Sequence, residues 1–290
     1  VAVLFEDAAR EFLAHHRIYT DGPDTIEYKF RVLRRHFDGH PLQEIDAHAI
    51  EVFMGARLEA GIARATLNRL RAALSVFFTW AIACGYATGP NPVRAVRKFR
   101  ESAGRTRYLS AQEADRLLLA AAPHLKPIVL TALHTGGRLS EILALRWADI
   151  DLDAGVVTFR RETTKSRRTR SVPMSADLRL GLAGLRRGRP DQHVFVWNEA
   201  PLRSVRTAFA HACRQAHIEG VTFHTLRHTF SSWATMAGLD LRRLQKYLGH
   251  STIALTERYS HLSPEYLKDG ARFFGPPRAT KPTRADDGDA

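Results

Sequence analysis

The chain has 290 residues, of which 44% are hydrophobic and 25% charged, enough apolar material for about two buried cores and too much for a disordered chain. Its formal net charge of +13 favours an anionic partner such as nucleic acid. No apolar run reaches the about 18 residues of a membrane span, and two isolated cysteines, Cys84 and Cys213, exclude a disulfide framework or a CxxC zinc site.

The opening VAVLFEDAAREF carries acids where a signal peptide is basic, so a cytoplasmic, reducing setting is expected. Phe5, Ala8, Ala9, Phe12 and Leu13 share a face at helical spacing. Asp24 is placed to cap a second helix through TIEYKFRVLRRHF. Asp46 caps a third that stops at Gly61, and a fourth runs from about Ala63 to Cys84, with Gly85 behind it. NPVRAV and KFRESAGRTR read as a linker. Ser110-x-x-Glu113 then opens a fifth helix as a capping box. Pro127 suits the first turn of the next, Gly136-Gly137 ends it, and Ser140 is placed to cap EILALRW. ADIDLDAGVVTFRRE and TRSVPM predict three short strands, with TTKSRR joining the last two. The remainder reads as helical through Tyr259, and Ser263-Pro264-Glu265 as the start of one more helix. Residues 275–290 lack apolar periodicity and read as a disordered tail. The fold class is therefore mainly α with a small antiparallel three-stranded sheet. The boundaries are an N-terminal four-helix domain at 1–100, a linker at 101–107, a second domain at 108–274 and the tail.

The charge excess is uneven. Residues 1–100 carry 14 basic and 11 acidic side chains, against 25 and 16 in residues 101–270. That second stretch holds GGRLSEILALRW around Arg138, TTKSRRTRSVP around Lys165, HTLRH at 224–228 and LGHSTIALTERYSHL around His250 and Tyr259. Together they suit attack on a phosphodiester by a tyrosine, without a metal. A phenol with a pKa of about 10 is ionised once in a thousand at neutral pH, a handicap of roughly 4 kcal/mol. It needs a proton acceptor, for which His224 and His250 are candidates, or nearby positive charge, for which Arg138 and Arg227 are candidates. Paired guanidinium groups match the non-bridging oxygens of a phosphate. Lys165, amid Arg167, Arg168 and Arg170, can protonate a departing 5′-oxygen.

Each residue also has an ordinary reading. Lys165 fits a solvated basic turn, Arg138 an ion pair, Glu141 a surface acid, His250 a helix cap and Tyr259 an amphipathic helix. Tyr247 and Tyr266 compete as nucleophiles. His224 and His228 are spaced i, i+4 like zinc ligands, but Thr225 stands where a zincin has glutamate, and no metal is expected.

The order Arg138, Lys165, His224-x-x-Arg227, His250, Tyr259, over roughly residues 106 to 265, resembles the tyrosine recombinases, the phage-integrase and Xer type of site-specific DNA recombinase. The resemblance implies an N-terminal DNA-binding domain and a catalytic domain that clamp duplex DNA at a specific site. Tyr259 is then the nucleophile of a 3′-phosphotyrosyl intermediate, with Arg138, Lys165, His224, Arg227 and His250 completing the catalytic set. Glu141 supports Arg138, and His228 hydrogen-bonds within the domain as a structural residue. Many relatives are acidic at Thr225, a departure that bears on support of the site. No cofactor is implied. A homo-tetramer on synapsed DNA is, with a monomer or weak oligomer when free, and Pro264–Phe274 docking into a neighbour. Arg64, Arg69, Arg71, Arg160, Arg161, Arg203 and Arg206 are candidate phosphate contacts. The rival readings are a type IB topoisomerase, a non-catalytic DNA-binding protein of the same fold and, third, a metal-dependent nuclease.

Overall fold

A computed structural model describes residues 2–19, 24–101, 107–164 and 168–263. The chain divides into two compact units, Val1–Gly104 and Arg105–Ala290. Among the described residues no helix is long and apolar enough to cross a membrane.

The first unit holds four helices: α1 (Phe5–Tyr19), α2 (Asp24–Phe37), α3 (Ala47–Glu59) and α4 (Arg64–Ala83). Their apolar faces meet in an aromatic core. The Phe5 ring lies edge-on to Phe77 at 5.1 Å, and Phe12, Phe30, Phe37 and Phe53 are buried around them. Asp46 caps α3 by accepting the Ala49 N–H at 2.8 Å, and Gly61 takes a left-handed φ of 82° behind it. NPVRAV is not a linker. Val93 and Val96 are buried, and Asn68 of α4 exchanges two 2.9 Å bonds with the Phe99 backbone. The valines supply apolar area that polarity averaged over the whole stretch conceals.

In the second unit α5 (Ala111–Ala120) begins with the expected capping box, Ser110 and Glu113 exchanging bonds of 3.2 and 2.9 Å. Helix α6 (Lys126–Thr135) carries Pro127 in its first turn and ends on Gly136 at φ 63°. Helix α7 (Leu139–Leu143) starts two positions earlier than Ser140 capping would require. Arg138 occupies the cap, and the Glu141 carboxylate accepts its N–H at 2.9 Å. The three-stranded antiparallel sheet is present as β1 (Ile150–Asp151), β2 (Val156–Phe159) and β3 (Arg170–Pro173), with Phe159 opposite Arg170. Helix α8 (Ala176–Ala183) follows.

The next stretch departs from the expectation of unbroken helix. Strands β4 (Val196–Trp197) and β5 (Ala200–Pro201) form a hairpin. Its two turn residues, Asn198 and Glu199, both have positive φ, the twist that a two-residue hairpin turn needs. Helices α9 (Arg206–Gln215), α10 (Phe223–Met236), α11 (Leu241–Leu248) and the single turn α12 (Ala254–Glu257) complete the unit. Helix α10 packs along α6 and is tied to the start of the unit, where Thr229 accepts the Leu109 N–H at 3.0 Å. A separate small core of Leu244, Leu248 and Tyr259 joins α11 to the segment after α12. The segment from Pro264 onward, with the docking element and the tail, lies outside the described residues.

Candidate active site

The α6–α7 turn is built for close approach. A Cβ on Gly136 would lie 2.5 Å from the Phe230 ring and 2.9 Å from Leu248, and one on Gly137 would lie 2.8 Å from Phe159. Only glycine lets the turn nest against α10, α11 and β2. Arg138 emerges there with its side chain 25% exposed.

Arg227, buried on α10, donates from Nη1 to the Gly136 carbonyl and from Nη2 to the Leu248 carbonyl, both at 2.7 Å. It thus bridges the C-terminal ends of α6 and α11, where helix dipoles favour a cation. Burial, then the nearby charges of Arg138 and Arg170, pull its pKa down to about 9, still cationic at neutral pH.

Glu141 is the carboxylate among these cations. Fully buried, it accepts Arg138 Nη1 on Oε1 at 2.7 Å, and Arg138 N and Arg170 Nη2 on Oε2. Burial alone would raise its pKa, but Arg170 and Arg138 outweigh that and keep it below the ordinary range. Two guanidinium groups therefore pair with one carboxylate, and a third, Arg227, adds its charge nearby. The uncompensated charge, held where water is scarce, creates a demand for an anion.

The histidines respond to that charge. His250 follows the left-handed Gly249 that closes α11, and its Nδ1 lies 2.9 Å from Thr256 Oγ1. Desolvation, followed by Arg227, Arg138, Arg258 and Arg170, lowers its pKa to about 3. His224 reaches solvent on one side. Desolvation of its inner side, then Arg227, Arg138 and Arg258, shift its pKa down. The His224 ring meets that of His228 edge-on at 4.8 Å.

Tyr259 is 2% exposed, and its hydroxyl lies 2.5 Å from Nδ1 of His228. His228 hydrogen-bonds within the domain as expected, and its partner is the phenol, whereas His250 turns to Thr256 and His224 to His228. Desolvation, then the charges of His224, Arg258 and Arg227, lower the His228 pKa to about 4, so the ring is neutral and, in the tautomer protonated on Nε2, its Nδ1 accepts a hydrogen bond from the phenol. Burial raises the Tyr259 pKa, while Ser231, Arg258 and Arg227 work against that rise. Tyr259 in this geometry is a protonated phenol held beside a strongly cationic pocket. Tyr247 lies on α11 with its carbonyl bound to Arg170, and Tyr266 falls outside the described residues.

Lys165 also lies outside the described residues. Both sides of its hairpin neck are pinned by Thr164, whose Oγ1 donates to the Arg168 carbonyl at 3.0 Å and accepts the Arg168 N–H at 3.1 Å. Among the candidate phosphate contacts, Arg64, Arg69, Arg161, Arg203 and Arg206 are exposed. Arg160 is paired with Asp149. Arg71 is turned inward, donating to the Val96 and Val93 carbonyls at 2.8 Å. Its guanidinium braces the chain that folds back along α4. Sequence reasoning missed two participants. Arg258 adds charge to all three histidines and to Tyr259. Arg170, in sequence one of several cations around Lys165, is the buried partner of Glu141.

The sequence matches the phage integrase family over residues 107–265, and the phage integrase N-terminal SAM-like domain over residues 27–85. The chain belongs to the phage integrase family. Tyrosine recombinase XerC of Xanthomonas axonopodis pv. citri is 31% identical over 77% of this chain and 76% of its own length. The integrase of Haemophilus phage HP1 is 30% identical over 90% and 77%. The integrase of Salmonella phage P22 is 34% identical over 58% of this chain, which spans 47% of that protein's length. In fold, the chain is similar to a lambda integrase fragment bound as a dimer to a core site, with a TM-score of 0.75 at 21% identity, covering 87% of this chain and 97% of that one. As a tyrosine recombinase, the protein is an enzyme that cuts and rejoins DNA strands.

Proposed function

We propose that this protein is a site-specific recombinase whose nucleophile is Tyr259 and whose phosphate pocket is made by Arg138 and Arg227. The observation that carries the reading is the pairing of Arg138 and Arg170 with one buried carboxylate, with Arg227 close enough to interact with both that carboxylate and the Tyr259 phenol. A scissile phosphate entering the pocket supplies the missing negative charge. Oη of Tyr259 then bonds to phosphorus as the bond to the 5′-oxygen breaks. The phenol proton leaves through the neighbouring imidazoles, and Lys165 delivers the proton that the 5′-oxygen needs. The product is a 3′-phosphotyrosyl link and a free 5′-hydroxyl. A 5′-hydroxyl from a partner duplex reverses the step on a new strand, so phosphodiester energy is conserved and neither nucleotide cofactor nor metal takes part.

The partner on this reading is double-stranded DNA at a specific site, with four protomers on a synapsed junction and a monomer or weak oligomer in its absence. A lambda integrase tetramer bound to a Holliday junction, similar in fold at a TM-score of 0.73, supports that assembly. The proposed compartment is the cytoplasm, where the DNA of phage and bacterial relatives is found. Wild-type protein is to be incubated with a pool of nicked duplexes of random sequence, and the covalent adducts isolated. Adducts are expected with wild type and none with Tyr259→Phe, which should bind the selected duplex as well as wild type does. Adducts persisting in that variant overturn the assignment of the nucleophile.

A further inference from the structure

We propose that Arg170 is a positioning residue for strand cleavage, holding Arg138 and His250 in register around the scissile phosphate; this rests on the strand-transfer reading above. The residue opens β3, and its side chain is only 6% exposed. One edge of its guanidinium reaches two separate elements. Nη2 donates to Glu141 on α7, and Nε donates to the Tyr247 carbonyl on α11 at 2.7 Å. The group lies over the Phe159 ring at 4.4 Å, a face that favours a cation. Its Nη1 is buried without a hydrogen-bond partner, against Gly249. A Cβ on Gly249 would come within 3.1 Å of Arg170 Cδ and 3.3 Å of Nη1, so the glycine before His250 provides the space the arginine occupies.

Each contact bears on the site. Glu141 has Arg138 and Arg170 as side-chain partners. With Arg170 in place the carboxylate is shared, and the Arg138 guanidinium keeps donors for an incoming phosphate. Without it, the full negative charge of Glu141 falls on Arg138 and competes with that phosphate. At the other end, Arg170 and Arg227 bind consecutive carbonyls, Tyr247 and Leu248, at the terminus whose next turn presents His250. A lysine carries the charge but has no rigid fork to span both partners.

The test compares single-turnover cleavage by wild type and Arg170→Lys on a captured nicked duplex, with either a normal scissile phosphate or a neutral methylphosphonate in its place. Duplex affinity and melting temperature are measured alongside. On the phosphate, Arg170→Lys should cleave at least about tenfold more slowly with affinity within about twofold of wild type, a loss in the reaction step and not in binding. On the methylphosphonate the gap should close to within about threefold, because no phosphate charge remains for Arg138 to meet. An equal loss on both substrates marks a merely structural role and overturns the proposal, as does cleavage of the phosphate at the wild-type rate. If Arg170→Lys melts below the assay temperature, Glu141→Gln breaks the same link at its other end. With the competing carboxylate charge gone, cleavage of the phosphate relative to the methylphosphonate should be at least that of wild type, and a loss of about tenfold or more confined to the phosphate overturns the proposal. Failure of wild type to form any adduct would instead sink the strand-transfer reading itself.

Discussion

Acidification from about pH 7.5 to about pH 5 should weaken this protein, and two histidines of the site supply a separable share of the loss. Their folded pKa values are about 4 for His228 and about 3 for His250, against about 6.5 for an unfolded histidine. The unfolded chain takes up protons that the folded chain refuses. The stabilisation is therefore fully present above about pH 6.5 and is lost as pH falls towards the folded values. At about pH 5 the unfolded histidines are some 1.5 units below their pKa while the folded ones are still neutral. The cost is about 2 kcal/mol for each, and up to about 4 kcal/mol for the pair. Urea unfolding at about pH 7.5, 6 and 5 measures it, with wild type compared against the His228→Asn/His250→Asn double variant. Wild type should lose more stability than the variant by that amount. A bound duplex, by offsetting the arginines, should raise both folded pKa values and flatten the dependence. Equal losses in wild type and variant would refute the claim that burial, reinforced by the arginines of the site, keeps these rings neutral.

Gly136→Ala should destabilise the second unit by about 2 kcal/mol or more, read as a lower melting temperature, because a Cβ meets Phe230 and Leu248 at a positive φ. Arg69→Ala should weaken binding to any duplex and reduce the dependence of affinity on salt by about one counterion, measured by titration at several salt concentrations. Arg71→Ala should instead lower the stability of the first unit, since it deletes two bonds to the Val93 and Val96 carbonyls, with little change in the salt dependence. A salt dependence altered in Arg71→Ala alone would reverse those assignments.

Features that depend on a few consecutive residues were legible in the sequence. Asp46 and Ser110 cap the helices they precede, Gly61 and Gly136 end theirs, and the three strands stand where alternation predicts them. These structures are decided by backbone groups within about four positions, so local chemistry suffices. The order of Arg138, His224, Arg227, His250 and Tyr259 was equally readable, and it marked the family. Tertiary structure alone decided which partner each long side chain takes. It turned Arg71 from solvent to backbone carbonyls, gave the Tyr259 hydroxyl to His228 in place of His224 or His250, and buried Arg170 between α7 and α11. A guanidinium or imidazole reaches several ångströms from its own backbone, and the groups within that reach come from segments remote in the chain. Only the packing of those segments selects among them.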